Sequence, residues 1–146
     1  MQEGQETFTL VLSAPTGVPI LRGAGVGTIL ADPPLPNLSV SDAAPVIEPP
    51  ARTKAFAQFT VSLSAPSQST VLVHVTTQDG TATAGADYIP VNLDLKFKPG
   101  ETQKTVTVRI VHDRVPDGTE NFTLILSQPT DALIARGTAI GTIRDS

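Results

Sequence analysis

Residues 3–32, "EGQETFTLVLSAPTGVPILRGAGVGTILAD", realign without a gap on residues 117–146, "DGTENFTLILSQPTDALIARGTAIGTIRDS"; the offset is 114, and 15 of the 30 positions are identical. No other feature constrains the fold as strongly. A unit of this length is a whole domain rather than one turn of a solenoid. The expected organisation is the closing third of one unit at 1–32, a stiff proline-rich linker at 33–36 within "DPPLPN", and a complete unit at 37–146. On this reading the chain is a piece of a longer tandem array, cut inside its first unit.

The complete unit reads as strand throughout. "AQFTVSL" (57–63) alternates Ala57, Phe59, Val61 and Leu63 with Gln58, Thr60 and Ser62. "TVTVRIV" (105–111) sets Val106, Val108 and Ile110 against Thr105, Thr107 and Arg109, and "NFTLIL" (121–126) points Phe122, Leu124 and Leu126 inward. Period-2 patterning of this kind marks half-buried strands. Turn signals separate them at "SAPSQS" (64–69), "KPGET" (98–102), "VPDGT" (115–119) and "SQPTD" (127–131). The expectation is seven strands, at 38–42, 56–63, 70–77, 92–97, 104–111, 120–127 and 138–144. Seven short strands in a unit of this size predict an all-β, immunoglobulin-like antiparallel sandwich.

Composition narrows the function classes. There is no Cys, which excludes a disulfide framework and any thiolate metal site. A net charge of −4 with scattered Lys and Arg argues against nucleic acid as a partner. No run of apolar residues is long enough to span a membrane, and "MQEGQETF" is no signal peptide. Ser, His and Asp occur, but none sits on a nucleophile turn, so no catalytic residue is assigned and no enzyme is expected.

The placement of the acids says more. If successive strands run up and down, the 1–2, 3–4 and 5–6 connections and the end of strand 7 share one pole. Seven of the eleven acids of residues 37–146 collect there: Glu48, Asp79, Asp87, Asp113, Asp117, Glu120 and Asp145. Like charges gathered this way repel, and something must offset them. Ca²⁺ takes 6–8 oxygen ligands with tolerant geometry, which suits donors arriving from separate loops. The alternative is a solvated acidic rim neutralised by Arg52, Arg114 and Arg144. His112, beside Asp113, is a weak zinc donor on its own, and His74 on strand 3 is expected to face solvent.

The text "DGTATAGADY" (79–88), "FKPGETQKTVTVRIVHD" (97–113), "DGTENFTLILSQP" (117–129) and "GTAIGTIRD" (137–145), with "VSDAAPVIEP" (40–49), resembles the Calx-beta domain. The resemblance covers nearly the whole complete unit, and residues 3–32 resemble the last third of a preceding Calx-beta domain. It implies a seven-strand sandwich with calcium at the acidic pole. Carried over position by position, it implies Glu48, Asp87, Asp113, Asp117 and Asp145 as ligands. The Gly and Ala residues of 79–88 would let the backbone pass close to the ions, with Tyr88 anchoring the loop.

Two departures lower the expected occupancy. Strand 5 is followed by His112, Asp113 and Arg114 rather than adjacent acids, and the domain closes in Asp145 and Ser146 rather than an Asp run. One or two ions of weak to moderate affinity are therefore expected. The partial first unit keeps Glu3, Glu6 and Asp32 but lacks the loops for a complete site. The expected function is a calcium-rigidified adhesion or spacer module of an extracellular or cell-surface protein, bacterial in origin. Its expected partners are neighbouring Calx-beta repeats and a surface or protein ligand, with intermolecular strand pairing open to the partial repeat. The rival readings are a purely structural sandwich held by arginine–carboxylate pairs and an intracellular calcium sensor of the exchanger type.

Overall fold

The computed structural model describes residues 4–145, so Glu3 and Ser146 lie outside the described residues. It contains only strands: β1 (Glu6–Val11), β2 (Ala24–Ile29), β3 (Asn37–Val40), β4 (Val46–Ile47), β5 (Ala55–Leu63), β6 (Val71–Asp79), β7 (Asn92–Phe97), β8 (Gln103–Ile110), β9 (Thr119–Thr130), β10 (Leu133–Arg136) and β11 (Thr138–Arg144). Among the described residues no helix is long and apolar enough to cross a membrane. The chain divides into two compact units, Met1–Pro34 and Leu35–Ser146.

In the larger unit, a four-stranded sheet ordered β10-β3-β5-β8 and a five-stranded sheet ordered β4-β11-β9-β6-β7 form the sandwich. Alternation supplies the core directly. Ala57, Phe59, Val61 and Leu63 of β5 and Val106, Val108 and Ile110 of β8 meet Val71, Val73 and Val75 of β6 and Phe122, Leu124 and Leu126 of β9. The rings of Phe59 and Phe122 meet edge to face across the sheets, centroids 5.9 Å apart. His74 lies on the outer face, its Nδ1 2.7 Å from Asp94 Oδ1 on the neighbouring strand.

Nine strands form this unit rather than seven, and the differences have local causes. The strand expected at 38–42 ends at Val40 and resumes as β4, which changes sheets to pair in parallel with β11. Pro45 between them has no N–H to give a ladder, so the chain crosses from one sheet to the other there. Asp42 fastens the crossing by accepting hydrogen bonds from the Ile140 N–H (2.8 Å) and from Arg136 (2.6 Å). Near the opposite end, β10 adds itself in parallel to β3 before the chain passes through Gly137 into β11 of the other sheet.

The smaller unit is the β1–β2 hairpin. Its six cross-strand pairs, from Glu6↔Ile29 to Val11↔Ala24, reproduce those of β9 and β11, from Glu120↔Ile143 to Ile125↔Thr138, at the offset of 114. The connecting loops agree too: Ala14 and Gln128 both have positive φ, 48° and 49°. In each hairpin a phenylalanine ring lies over the glycine opposite it, Phe8 over Gly27 and Phe122 over Gly141.

A Cβ at Gly141 would stand 2.3 Å from the Phe122 ring, which is fully buried and cannot swing away. Gly141→Ala is therefore expected to destabilise the protein by about 1–3 kcal/mol, the usual cost of overpacking. Denaturant unfolding measures this; an unchanged midpoint would show that the ring is free to move.

Candidate functional site

The strand register brings three chain reversals to one pole. Ala55 pairs with Ile110, Asp79 with Phe122, and Arg144 with both Thr119 and Ile47. The segments after β4, β6, β8 and β11 therefore emerge together. Glu48, Asp87, Asp113, Asp117, Glu120 and Asp145 all come from this end.

The loop after β6 is built to present Asp87. Gly80 packs against the backbone of β9, and a Cβ there would stand 2.4 Å from the Asn121 carbonyl oxygen. Ala82 is buried, its N–H donating to that same oxygen (2.9 Å). Tyr88 anchors the far side of the loop. Its ring stacks on Phe122 at 4.4 Å and 18°, and its hydroxyl donates to Asp79 Oδ1. Burial, reinforced by Asp79, pushes the Tyr88 phenol up to about 12, so it stays a donor. Asp79 also accepts from the Ala84 N–H (2.8 Å) and so braces the loop from within. Asp87 is 9% exposed, takes the Thr83 N–H on Oδ2 (2.7 Å), and is pinned to β8 by the Val111 N–H on its carbonyl (2.9 Å).

Each remaining acid has its own setting. Glu48 is 8% exposed; its Oε1 accepts the Asp113 N–H (2.6 Å) and lies 2.9 Å from His112 Nδ1. Asp113 turns its own Oδ1 to the Val115 N–H (2.9 Å). Asp145 accepts from the Gly118 N–H (2.6 Å), while its N–H donates to the Gly118 carbonyl (3.1 Å). Among the described residues Asp117 and Glu120 show no such side-chain bonds. Instead their oxygens and one of Asp87 all lie within 4.8 Å of one another.

The charge state records the crowding. Asp117 is held above its ordinary value by desolvation, then by Asp113, Asp145, Asp87 and Glu48. Glu120 is raised by desolvation, then by Asp87, Asp117, Asp113 and Asp145. No arginine relieves them. Among the described residues the close contacts between basic and acidic side chains are His74–Asp94, Lys104–Glu101, His112–Glu48 and Arg136–Asp42, so none joins Arg52, Arg114 or Arg144 to the cluster.

Of the five residues expected as ligands, Asp87 and Asp117 share the tight triad, while Glu48, Asp113 and Asp145 stand around it in bonds to backbone N–H groups. The triad's third member, Glu120, belongs to the acidic pole but was not expected as a ligand. Its signal was available in the alternation of β9: Glu120 has the parity of Phe122, Leu124 and Leu126, so it faces inward at the rim.

Three carboxylate oxygens and no nitrogen or sulfur make a hard donor set, suited to Ca²⁺ and poor for zinc. The spacing fits as well. Two oxygens on one calcium, each at about 2.3–2.6 Å, are separated by at most about 5 Å. His112 is turned to Glu48 instead.

A family model described as the Calx-beta domain matches residues 48–146, more than half of the chain. The chain belongs to the Calx-beta family. Calx-beta domains are regulatory and binding modules. Sodium/calcium exchanger 1 of Canis lupus familiaris is 48% identical over 59 residues, covering 40% of this chain and 6% of the exchanger. FRAS1-related extracellular matrix protein 2 of Homo sapiens is 44% identical over 64 residues, which is 44% of this chain and 2% of that protein. Extracellular matrix protein 3 of Lytechinus variegatus is 31% identical over 160 residues, an alignment spanning 100% of this chain and 5% of the matrix protein. This Calx-beta chain thus spans only a small fraction of these relatives. They are animal proteins, and the expectation of a bacterial source finds no support among them.

Solved structures agree in fold. The apo form of the Calx CBD1 domain superposes with a TM-score of 0.63 at 21% identity, covering 77% of this chain and 99% of that one. The calcium binding domain CBD12 of CALX1.1 gives 0.62 at 24% identity, covering 74% and 45%.

The raised acids set a pH dependence. Asp117 and Glu120 bind protons more tightly folded than unfolded, so without divalent cations stability rises as pH falls toward the window just above their ordinary values of 3.8 and 4.5. In chelator, the melting midpoint is expected to climb as pH falls from neutrality toward that window, and Glu120→Gln to raise the neutral-pH midpoint and flatten the climb. A midpoint that falls steadily over this range would contradict the crowding.

Proposed function

We propose that this Calx-beta unit is a calcium-binding module, and that the observation carrying this reading is the meeting of Asp87, Asp117 and Glu120 oxygens within 4.8 Å. Three segments supply them: the loop after β6, the loop after β8, and the rim of β9. Asp87, Asp117 and Glu120 would hold the first ion. Glu48, Asp113 and Asp145, each with an oxygen beyond the one given to a backbone N–H, would supply further ligands or a weaker second position. The bound cation would offset the desolvation and the repulsion that raise Asp117 and Glu120, and water would complete its coordination. The relatives' names, a sodium/calcium exchanger and a calcium binding domain, support the choice of ion.

The wider role follows from what calcium would do mechanically. It would lock three otherwise repelling segments at the pole where the chain leaves β11, stiffening the approach to a neighbouring repeat. We infer an adhesion or spacer role in an extracellular or cell-surface protein, in keeping with the matrix proteins among its relatives. Binding rather than catalysis is the proposed task. The rival structural reading needs arginine contacts to these acids and predicts indifference to calcium.

Thermal melts in calcium and in chelator test the proposal. At free calcium a hundredfold above Kd, mass action adds about 2.7 kcal/mol to the folded state, so the midpoint is expected to rise by several degrees. Calorimetric titration should show one or two sites, and Asp87→Asn or Glu120→Gln should abolish the tighter. An unchanged midpoint at millimolar calcium would remove the metal from this account.

A further inference from the structure

Two peptide bonds in the chain join Asp to Gly, Asp79–Gly80 and Asp117–Gly118. This pairing is chemically labile, because a glycine nitrogen has no side chain beside it and can close on the preceding carboxyl group. The fold treats the two differently. Asp79 ends β6 in register with Phe122, and its Oδ1 accepts from the Tyr88 hydroxyl and the Ala84 N–H (2.8 Å). Gly80 is pressed against the Asn121 carbonyl oxygen, which a Cβ would meet at 2.4 Å, and its N–H donates to the Ala82 carbonyl (3.2 Å). Asp117 lies in the exposed irregular segment between β8 and β9, and its carboxyl makes no hydrogen bond among the described residues. Gly118 has a φ of 79°, with nothing within 4 Å of where a Cβ would stand. Its N–H donates to Asp145 Oδ2, 2.6 Å from the nitrogen.

We propose that Asp117 is a site of spontaneous isomerisation to isoaspartate, and that the fold protects Asp79 from the same reaction. The Gly118 nitrogen attacks Cγ of the Asp117 acid form and makes a C–N bond. Its proton passes to Asp145 Oδ2 and on to the departing carboxyl hydroxyl, which leaves as water. The product is a five-membered succinimide. Water then opens the ring. Attack at Cγ restores aspartate; attack at the main-chain carbonyl leaves the chain running through Cβ and Cγ, which is isoaspartate. One water is lost and one gained, and nothing is oxidised or reduced. At Asp79 the same closure would break the bonds from Tyr88 and Ala84 and draw Gly80 off β9. The consequence for the pole rests on the calcium reading. Isoaspartate lengthens the main chain and shortens the side chain. The Asp117 carboxylate therefore leaves the place where its oxygen lies within 4.8 Å of those of Asp87 and Glu120, and the tighter cation site is lost with age.

To test this, the full chain is aged in chelator near neutral pH and digested with trypsin, which cuts after Lys54, Lys96, Arg114 and Arg136 and so separates the two sites. Isoaspartate has the mass of aspartate, so it is read from the chromatographic shift of each peptide and from enzymatic methylation. It is expected to build up at Asp117 at least about tenfold faster than at Asp79, whose strand must open first. Asp117→Glu should remove the product, since closure would need a larger ring. Asp145→Asn should slow its formation by withdrawing the proton acceptor. Equal product at the two sites, none at Asp117, or an undiminished rate in Asp145→Asn would overturn the proposal. Calcium titration of fresh and aged samples keeps the two readings apart. Fresh protein that binds no calcium would refute the calcium reading, while the peptide map still decides the isomerisation. Fresh protein that binds, beside an isomerised sample that keeps the tighter site, would overturn the proposed loss.

Discussion

The Phe122 ring is where the core and the acidic pole become one structure. It fills the space that Gly141 leaves beside it, meets Phe59 from the opposite sheet, and carries Tyr88 stacked on its other side. Tyr88 lies one residue beyond Asp87, and its hydroxyl closes on Asp79 at the start of the same loop. The position of Asp87 is therefore set by core packing rather than by loop chemistry alone. Packed aromatic cores yield little, since a shift of a few tenths of an ångström costs contacts on every side. A carboxylate held this way keeps its place whether or not its charge is comfortable there.

That rigidity explains why the pole tolerates so much negative charge. Burying a carboxylate is costly unless hydrogen bonds replace lost water. Glu48, Asp87, Asp113 and Asp145 each receive a backbone N–H, supplied by turns whose geometry the strands dictate. The offset is spent on those four. Asp117 and Glu120 are left with the like charges around them, and desolvation and repulsion raise both. The pole is a frame of hydrogen-bonded carboxylates around two that make no such bond among the described residues, with one oxygen of Asp87 turned toward that pair.

The hairpin pair gives an internal control on how much of this is local. Half the residues of 3–32 recur at 117–146, and the cross-strand register recurs with them. Glycine opposite phenylalanine and the positive φ at Ala14 and Gln128 arise in both hairpins. Burial does not recur. The same alternation produces a core at Phe122, Leu124 and Leu126 and an open apolar face at Phe8, Leu10 and Leu12.

Alternation of apolar side chains, turn residues at regular intervals and the long repeat made the sandwich legible, because strand faces and chain reversals are local consequences of residue type. The shared pole was legible as well, since it needs only the up-and-down order of strands. Which carboxylates would actually meet was not. Asp79 and Asp87 look alike in the sequence, yet one braces its own loop while the other faces Asp117 and Glu120. His112 turns to Glu48, sixty-odd residues away, where sequence offered only a neighbouring Asp113. The split of the first strand of the complete unit around Pro45 likewise depends on β11 being there to receive β4. Local patterning decides which face a side chain takes. Only the packing of distant segments decides its neighbours, because ångström-scale distances between carboxylates depend on contacts that no short stretch of chain contains.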